Sequence, residues 1–297
     1  MNEGVLVLTG PTASGKTDLA VALAKRFGAE IIGADSRQIY RNMPIGTAAP
    51  DDSQRAEVPH HLVGFLDPQE RYSAGRFARD ARAIIRDVHA RGRRVIVVGG
   101  TGFYVRALTG DVHLASQYDE ALRERLAHEA RMHPPEFLHE WLRAHDAVRA
   151  QALDPHDTYR VLRALEVALT PRSARDEGEN ALQGEHTVRY LKVFLDVPLA
   201  ENDHRITLRT DAMLRAGLVE EAERVGAEAV AATAVGYPQA LAFARGWSTL
   251  PELRETLARA TRRYARRQRS WFRREPETRW LPPEDVERSA RELLGWS

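Results

Sequence analysis

The sequence contains no cysteine. This absence excludes disulfide bonds, thiolate nucleophiles and cysteine-ligated zinc, and it is compatible with a reducing compartment. The first ten residues, MNEGVLVLTG, lack the basic segment and the long apolar segment of a signal peptide. No apolar run approaches the roughly 20 residues that a membrane-spanning helix requires. We therefore expect a cytoplasmic protein with no membrane partner.

The sequence also lacks a large excess of positively or negatively charged residues. The chain has 43 lysines and arginines against 42 acidic residues, which gives a formal net charge of +1. Bulk charge therefore does not indicate a nucleic-acid partner, and any basic surface must come from an uneven distribution. Only Lys16, Lys25 and Lys192 are lysines. Against this arginine-rich background, the lysine within a glycine-rich loop, Lys16, is conspicuous.

A chain of 297 residues exceeds the usual size of one domain, so we expect a large domain with a smaller one inserted or appended. Strand-like runs at 5–9, 29–34, 93–98 and 189–197 alternate with helical stretches, a pattern typical of a doubly wound parallel sheet. Between about 116 and 169 the strand signals stop and helical patterns follow one another. We predict a core domain of residues 1–112 and 188–297, with C-terminal helices, and a helical insertion of residues 113–187. Residues 171–185 are predicted to form a mobile loop before the last strand.

The segment GPTASGKT fits the P-loop pattern G-x-x-x-x-G-K-[ST] and lies between a predicted strand and a predicted helix. Its backbone N–H groups can converge on phosphate oxygens, Lys16 supplies a point charge, and Thr17 can hold Mg²⁺. The alternative is a glycine turn without a ligand. The motif predicts a P-loop NTPase-like α/β fold, a parallel sheet flanked by helices. The residues expected to bind a diphosphate are Gly10, Pro11, Thr12, Ala13, Ser14, Gly15, Lys16 and Thr17.

A P-loop leaves the chemistry open, so the ends of the other strands must decide it. Ligands of open parallel sheets bind beyond the carboxyl ends of the strands, where DSRQIY at 35–40 and GGTGFY at 99–104 are expected. Asp35 is a candidate Mg²⁺ ligand, general base or helix cap. Thr101, between glycines, can donate to a phosphate oxygen. Asp196, the other candidate for the acid that a P-loop hydrolase needs, is interpreted as a strand-end turn residue.

Residues 259–274 contain eight arginines and no acidic residue, with Tyr264, Gln268 and Trp271 among them. A helix whose charged residues are all positive favours contact with phosphates. The alternative interpretation is that these arginines form a solvated helix face without a partner. We interpret this segment as a clamp on an RNA backbone, with Arg263 and Arg266 among its contacts.

These motifs, in this order, resemble the tRNA dimethylallyltransferases, also called tRNA isopentenyltransferases, of the IPP transferase family. The resemblance covers nearly the whole chain and also rests on IGTAAP at 45–50, DPHDTYRVLRALEV, RITLRTDAMLRAGLVEEA and AVGYPQAL. It implies that the P-loop holds dimethylallyl diphosphate rather than ATP. It further implies that a monomeric enzyme using Mg²⁺ transfers the dimethylallyl group to N6 of the adenosine 3′-adjacent to the anticodon in tRNAs, with pyrophosphate as the leaving group.

The resemblance also implies roles for particular residues. The aspartate matching Asp35 accepts the N6 proton as general base, while Lys16 and Thr101 stabilise the leaving diphosphate, with Arg205 nearby. Gln38 suits recognition of the edge of a flipped adenine, and the alternative is an exposed glutamine without a partner. Contacts with the anticodon stem-loop are implied for Asp35, Ser36, Arg37, Gln38, Thr101, Arg123, Tyr159, Arg160, Val161, Leu162 and Arg163, and within 233–238 for Val235, Gly236 and Tyr237.

Two segments depart from the family pattern. Ala49 stands where the family usually has a lysine, so the contact of that lysine is not carried over, and residues 171–184 match poorly. A kinase that uses the P-loop for ATP, an enzyme that prenylates free AMP, and a non-catalytic RNA-binding module remain alternatives. The arginine-rich segment and the helical insertion favour a macromolecular acceptor, and Asp35 argues against a purely binding role.

Overall fold

The computed structural model of the protein describes residues 4–110, 119–170 and 188–297. The chain forms two compact units: one comprises Met1–Val112 and Thr187–Ser297, and the other comprises His113–His186. The predicted loop at 171–185 lies outside the described residues.

The larger unit is built on a six-stranded sheet in the order β3-β2-β4-β1-β5-β6, and every pair of neighbouring strands is parallel. The predicted α/β class with a parallel sheet is thereby confirmed. The strands are β1 (Gly4–Thr9), β2 (Ala29–Gly33), β3 (His60–His61), β4 (Arg94–Val98), β5 (Arg189–Leu195) and β6 (Arg279–Leu281).

The prediction that the strand at 189–197 is the last one is wrong, because β6 follows it and pairs with it from Val193 onward. β6 has only three residues, and it is held at the sheet edge by tertiary contacts: the Trp280 ring lies 4.1 Å from that of Phe194. β3, at the other edge, has only two residues. Both strands are too short to show periodicity in the sequence.

Helices on the first half of the larger unit are α1 (Lys16–Phe27), α2 (Pro44–Thr47), α3 (Asp52–Glu57), α4 (Ala74–Ala90) and α5 (Gly102–Thr109). The helix α1 buries an apolar stripe that includes Leu23 and Phe27 and ends at Gly28, which adopts φ 62°. A left-handed residue at this position is the common C-terminal cap of a helix, and glycine adopts it without steric cost. The buried stripe packs against the sheet with Leu6, Ile31 and Ile96.

The smaller unit contains α6 (Glu120–Met132), α7 (Pro135–His145), α8 (Ala147–Gln151) and α9 (Thr158–Leu169). Aspartates cap three of these helices: Asp119, Asp146 and Asp157 each accept a hydrogen bond from the backbone N–H three residues later. The unit has its own apolar core, which includes Leu126, Leu138, Leu142, Val161 and Leu165.

The C-terminal part of the larger unit contains α10 (Leu199–Arg215), α11 (Leu218–Val225), a short 3₁₀ helix (Val230–Thr233), α12 (Tyr237–Ala244), α13 (Leu250–Phe272) and α14 (Pro283–Leu294). The arginine-rich segment lies mainly in α13, which starts with a capping box between Thr249 and Glu252. Within the part of the chain that the structure describes, no helix combines the length and the apolar character needed to cross a membrane.

Candidate active site

The P-loop joins β1 to α1 and has a backbone suited to anion binding. Ala13 and Gly15 adopt the left-handed φ values 65° and 82°, and such residues are typical of loops whose backbone N–H groups form an anion-binding concavity. Ala13 is not a glycine, and its left-handed conformation carries strain of the kind found at functional sites. The backbone of the loop is therefore consistent with the binding of phosphate oxygens that its sequence predicts.

Distant side chains hold this loop in place. The Thr12 N–H donates to Gln268 Oε1 at 2.8 Å, and Asn202 Nδ2 donates to the Thr12 carbonyl at 2.9 Å. Arg205 Nη1 donates to the Ser14 carbonyl at 3.1 Å. Gln268 and Asn202 are 5% and 1% exposed. These three hydrogen bonds stabilise the loop conformation from outside the loop itself.

A cavity of about 160 Å³ lies over the P-loop at the carboxyl ends of the strands. It brings together the loop after β1, the loop after β2 and residues from α10 and α13. Its lining comprises Thr12, Ala13, Ser14, Gly15, Lys16, Thr17, Asp18, Asp35, Gln38, Thr47, Ala48, Ala49, Gln54, Arg209 and Gln268. We call this space the donor cavity.

The donor cavity is electropositive on its P-loop side. Burial is the main cause that lowers the pKa of Lys16 to about 8, while the Asp35 carboxylate opposes this change and Arg209 adds to it. Burial also lowers the pKa of Arg209, whose Nη1 lies 3.5 Å from Thr12 Oγ1. Two desolvated cations beside a glycine-rich loop match a diphosphate, because burial strengthens their attraction for an anion.

Arg209 was not among the residues predicted to bind the diphosphate. A signal was present, because Arg209 follows Arg205 by four residues and therefore lies on the same face of α10. Arg205, which was identified, contacts the P-loop backbone and also pairs with Glu201 at 2.5 Å.

Asp35 lies at the end of β2, across the donor cavity from Lys16. Its Oδ1 accepts a hydrogen bond from the Arg37 N–H at 2.9 Å, which fixes the orientation of the carboxylate. Tyr104 and Tyr264 also lie within its electrostatic reach. Burial is the largest cause that raises the pKa of both phenols, and the Asp35 carboxylate raises it further.

Thr101 and Gln38 take up defined positions around Asp35. Thr101 Oγ1 accepts from the Ser36 N–H at 2.9 Å and lies 3.3 Å from Ser36 Oγ, so it connects the segment after β4 to the segment after β2. Gln38 Nε2 donates to the carbonyls of Thr47 and Ala48 at 3.1 and 2.9 Å. The Gln38 amide therefore has partners within the protein and a fixed orientation at the donor cavity.

The IPP transferase family model matches residues 38–275 of the chain. The chain belongs to the IPP transferase family. The tRNA dimethylallyltransferase of Anaeromyxobacter dehalogenans strain 2CP-1 is 43% identical over 295 residues, which cover 98% of this chain and 97% of that protein. The tRNA dimethylallyltransferase 2 of Syntrophus aciditrophicus is 40% identical, with 97% and 94% covered.

Solved structures give the same assignment. The full-length tRNA isopentenylpyrophosphate transferase of Bacillus halodurans is 32% identical with a TM-score of 0.70, covering 99% of this chain and 96% of that one. A eukaryotic dimethylallyltransferase whose crystallographic snapshots show it acting on tRNA is 25% identical with a TM-score of 0.77. The matched region covers 98% of this chain and 76% of the eukaryotic chain.

The residues of this IPP transferase for which the resemblance implied tRNA contacts differ widely in exposure. Tyr159 is 71% exposed and Arg160 is also exposed, whereas Val161 and Tyr237 are completely buried. The side chains of these last two lie in the cores of their units, and the tRNA contacts expected for this whole set of residues stay a prediction. Intermediate exposure is found for Ser36, Arg37, Arg123, Leu162, Arg163 and Val235.

The arginines of α13 in this IPP transferase divide into two groups. Arg263 and Arg266 are exposed, although Arg266 lies 3.6 Å from the Asp203 carboxylate. Arg269, in contrast, is 13% exposed and donates to Asp196 at 2.8 Å and to the Val197 carbonyl at 3.0 Å. Part of the arginine run is therefore structural, and Asp196 lies at a strand end where it pairs with α13.

Proposed function

We propose that the protein transfers the dimethylallyl group of dimethylallyl diphosphate to N6 of the adenosine 3′-adjacent to the anticodon in tRNAs, and releases pyrophosphate. The observation that carries this proposal is the donor cavity, where a P-loop with buried cations and the carboxylate of Asp35 line the same space. The relatives named tRNA dimethylallyltransferase match the chain over nearly its whole length, which supports the same activity.

The diphosphate binds to the P-loop amides, to Lys16 and Arg209, with Arg205 behind the loop. Gln268 and Asn202 hold the Thr12 backbone of this loop in place. Preorganised donors stabilise charge that develops during a reaction better than donors that must reorient. The P-loop side of the cavity therefore stabilises the leaving pyrophosphate as its charge grows.

The residues present fit a Mg²⁺ ion bound together with the diphosphate. Thr17 lines the donor cavity, and Ser14 Oγ is buried without a hydrogen-bond partner among the described residues. The described ranges contain no group of three or more His, Asp or Glu side chains that could hold a metal by themselves. Mg²⁺ typically keeps few protein ligands when it binds with phosphates, and when bound it neutralises charge on the diphosphate oxygens.

In the proposed step, N6 of adenine attacks the allylic carbon, a C–N bond forms, and the C–O bond to the diphosphate breaks with its electron pair on pyrophosphate. The N6 proton passes to the Asp35 carboxylate. An exocyclic adenine amine is a weak nucleophile, so a positioned carboxylate that takes this proton lowers the barrier. Gln38 Nε2 donates to the Thr47 and Ala48 carbonyls, which leaves Gln38 Oε1 to accept a hydrogen bond from the adenine edge.

The arrangement disfavours phosphoryl transfer as the main reaction. A P-loop hydrolase or kinase needs an acid that organises Mg²⁺ and the nucleophile near the terminal phosphate. Of the two strand-end candidates, Asp196 is paired with Arg269. Of these two, only Asp35 lines the donor cavity, and alkyl transfer to an amine requires only one such carboxylate.

We further propose that tRNA binds through its anticodon stem-loop to a monomer in the cytoplasm. Arg263 and Arg266 of α13 contact phosphates, and the Asp35–Gln38 segment surrounds the target adenosine. The helical insertion, residues 113–187, contributes Arg123 and the exposed side chains of 159–163. An enzyme that acts on a base within a stacked loop must extrude it, which demands a large contact surface on the RNA.

The proposal is tested by offering the protein labelled dimethylallyl diphosphate and Mg²⁺ with tRNA, AMP or ATP as the acceptor. We expect label only on tRNA, and only on the adenosine beside the anticodon after nuclease digestion. Label on AMP would instead establish a small-molecule prenyltransferase, and phosphoryl transfer from ATP would establish a kinase.

A further inference from the structure

Glu221 is a fully buried carboxylate in α11 that the proposed chemistry does not use. Its side chain accepts three hydrogen bonds: from the Ile45 N–H at 2.9 Å, the Gly46 N–H at 2.7 Å and the Tyr237 hydroxyl at 2.7 Å. Its exposure is 0%. Burial of a carboxylate is costly unless hydrogen-bond donors surround it. Here the three donors offset the cost of removing the Glu221 carboxylate from water.

The two backbone donors belong to α2, the four-residue helix that precedes one wall of the donor cavity. Thr47, Ala48 and Ala49 form this wall. Glu221 accepts from the two N–H groups just before this wall, and Gln38 Nε2 donates to the carbonyls of Thr47 and Ala48 within it. The position of the 47–49 wall therefore depends on hydrogen bonds to the buried Glu221 carboxylate and to the Gln38 amide.

Tyr237 closes this arrangement from the other side. It is 0% exposed, and a Cβ added to Gly46 would lie 2.5 Å from its ring. Only glycine permits this close approach, so the Tyr237 ring packs directly against the backbone of α2 at Gly46.

We propose that Glu221 is a positioning residue of the donor cavity: by fixing α2 against Tyr237 it sets the 47–49 wall opposite the P-loop and thereby the affinity for the diphosphate donor. The identity of that donor rests on the proposed function. The positioning role itself does not, because any diphosphate held by the P-loop faces the same wall.

The test is Glu221→Gln, which keeps the shape of the side chain. An amide has one acceptor oxygen, so whichever way it is oriented its NH₂ faces the N–H of either Ile45 or Gly46. We expect the KM for dimethylallyl diphosphate to rise about 10- to 100-fold, the usual cost of a lost hydrogen bond to a charged group. The Kd for tRNA is expected to change by less than about twofold, because this wall does not carry the phosphate contacts of the RNA.

Two further variants calibrate the result. Glu220→Gln makes the same chemical change at the exposed neighbouring position of α11, and it is expected to leave the donor KM unchanged. Tyr237→Phe removes one donor and keeps both backbone bonds, so its donor KM is expected to rise only about two- to tenfold.

Binding of pyrophosphate with Mg²⁺, measured by calorimetry, provides a readout that does not require catalysis. We expect its Kd to rise in Glu221→Gln by about the same factor as the donor KM. If the wild type binds pyrophosphate but prenylates nothing, the proposed function fails while the role of Glu221 is still measured. A folded Glu221→Gln variant with unchanged pyrophosphate Kd overturns the inference. If that variant does not fold, an unchanged Kd in Tyr237→Phe overturns it.

Discussion

Gln268 on α13 accepts a hydrogen bond from the Thr12 N–H of the P-loop at 2.8 Å, although 256 positions separate the two residues in the chain. Its Nε2 donates to the Gly100 carbonyl at 3.1 Å. A Cβ on Gly100 would lie 2.0 Å from this nitrogen, so the glycine makes the contact possible. The helix interpreted as an RNA clamp therefore also fixes the diphosphate loop and joins it to the segment after β4.

The first prediction concerns this bond. Gln268→Glu keeps an acceptor for Thr12 but places a carboxylate oxygen against the Gly100 carbonyl in a buried site. We expect the free energy of unfolding to fall by about 1–3 kcal/mol, the cost of a buried polar group left unsatisfied. Urea denaturation measures this change, with Gln69→Glu at an exposed position as the control. Equal stability of the two variants would show that Gln268 does not hold the loop.

The second prediction separates donor binding from RNA binding. Lys16→Ala removes a buried cation from the donor cavity, and we expect the Kd for pyrophosphate with Mg²⁺ to rise about 10- to 100-fold. The Kd for tRNA should stay within about twofold, because Lys16 faces the leaving group and not the RNA backbone. Lys25→Ala, which removes an exposed lysine paired with Glu57, is the control. If Lys16→Ala lost as much affinity for tRNA as for pyrophosphate, Lys16 would not act on donor binding alone.

The third prediction concerns the exposed arginines of α13. Substitution of Arg263 and Arg266 by glutamine should raise the KM for tRNA, and the log–log salt dependence of binding should flatten by about one unit per lost phosphate contact. Filter binding over a range of KCl concentrations measures the slope. An unchanged slope would show that these arginines form a solvated face.

Arg269→Gln provides the contrast within the same helix. This guanidinium is 13% exposed and is committed to Asp196 and the Val197 carbonyl. We expect the variant to lose stability, while its salt slope for tRNA binding stays that of the wild type. Stability and RNA affinity should therefore respond to different arginines of one run.

The fourth prediction is a pH dependence of stability. Hydrogen bonds from Arg91 are the largest cause that lowers the pKa of the buried Glu30 carboxyl from its usual 4.5 to about 2, and His61 contributes as well. Because the folded-state pKa is depressed, this stabilisation is complete above about pH 4.5 and is lost as the pH falls toward 2. Denaturation curves at several pH values should show that loss. Glu30→Gln should be less stable at neutral pH and should lack this part of the acid dependence.

The exposed Glu292→Gln is the control for this variant, and it should reproduce the wild-type curve. If Glu30→Gln retained the full acid dependence, other carboxylates would account for it.

The sequence predicted the central strands because β1, β2, β4 and β5 are apolar runs whose ends carry motifs. It did not predict β3 or β6, since edge strands of two or three residues are formed by tertiary pairing rather than by their own periodicity. The P-loop was evident from its glycines and Lys16. Its conformation was not, because Ala13 adopts a left-handed φ that only the surrounding contacts stabilise.

Residues that act through distant partners were the ones missed. Gln268 was grouped with the RNA-facing arginines, yet it is buried and bonded to Thr12. Arg209 and Glu221 lie within the segment RITLRTDAMLRAGLVEEA, but their contacts follow from the packing of α10 and α11 against the loops. Sequence patterns report local periodicity, whereas these contacts depend on which elements meet in three dimensions.

The central claim, that Asp35 takes the N6 proton during transfer, is tested most directly by the single-turnover rate of Asp35→Asn with saturating dimethylallyl diphosphate. Asparagine still accepts a hydrogen bond from N6–H but cannot take its proton, so binding and chemistry should separate. Asp196→Asn, at the other strand end, is the control and should react at nearly the wild-type rate. We expect Asp35→Asn to be slower by about 10² to 10⁴, the scale of a lost general base, with an unchanged Kd for tRNA. A rate within a few-fold of wild type, or a rate restored by excess Mg²⁺, would contradict the assignment.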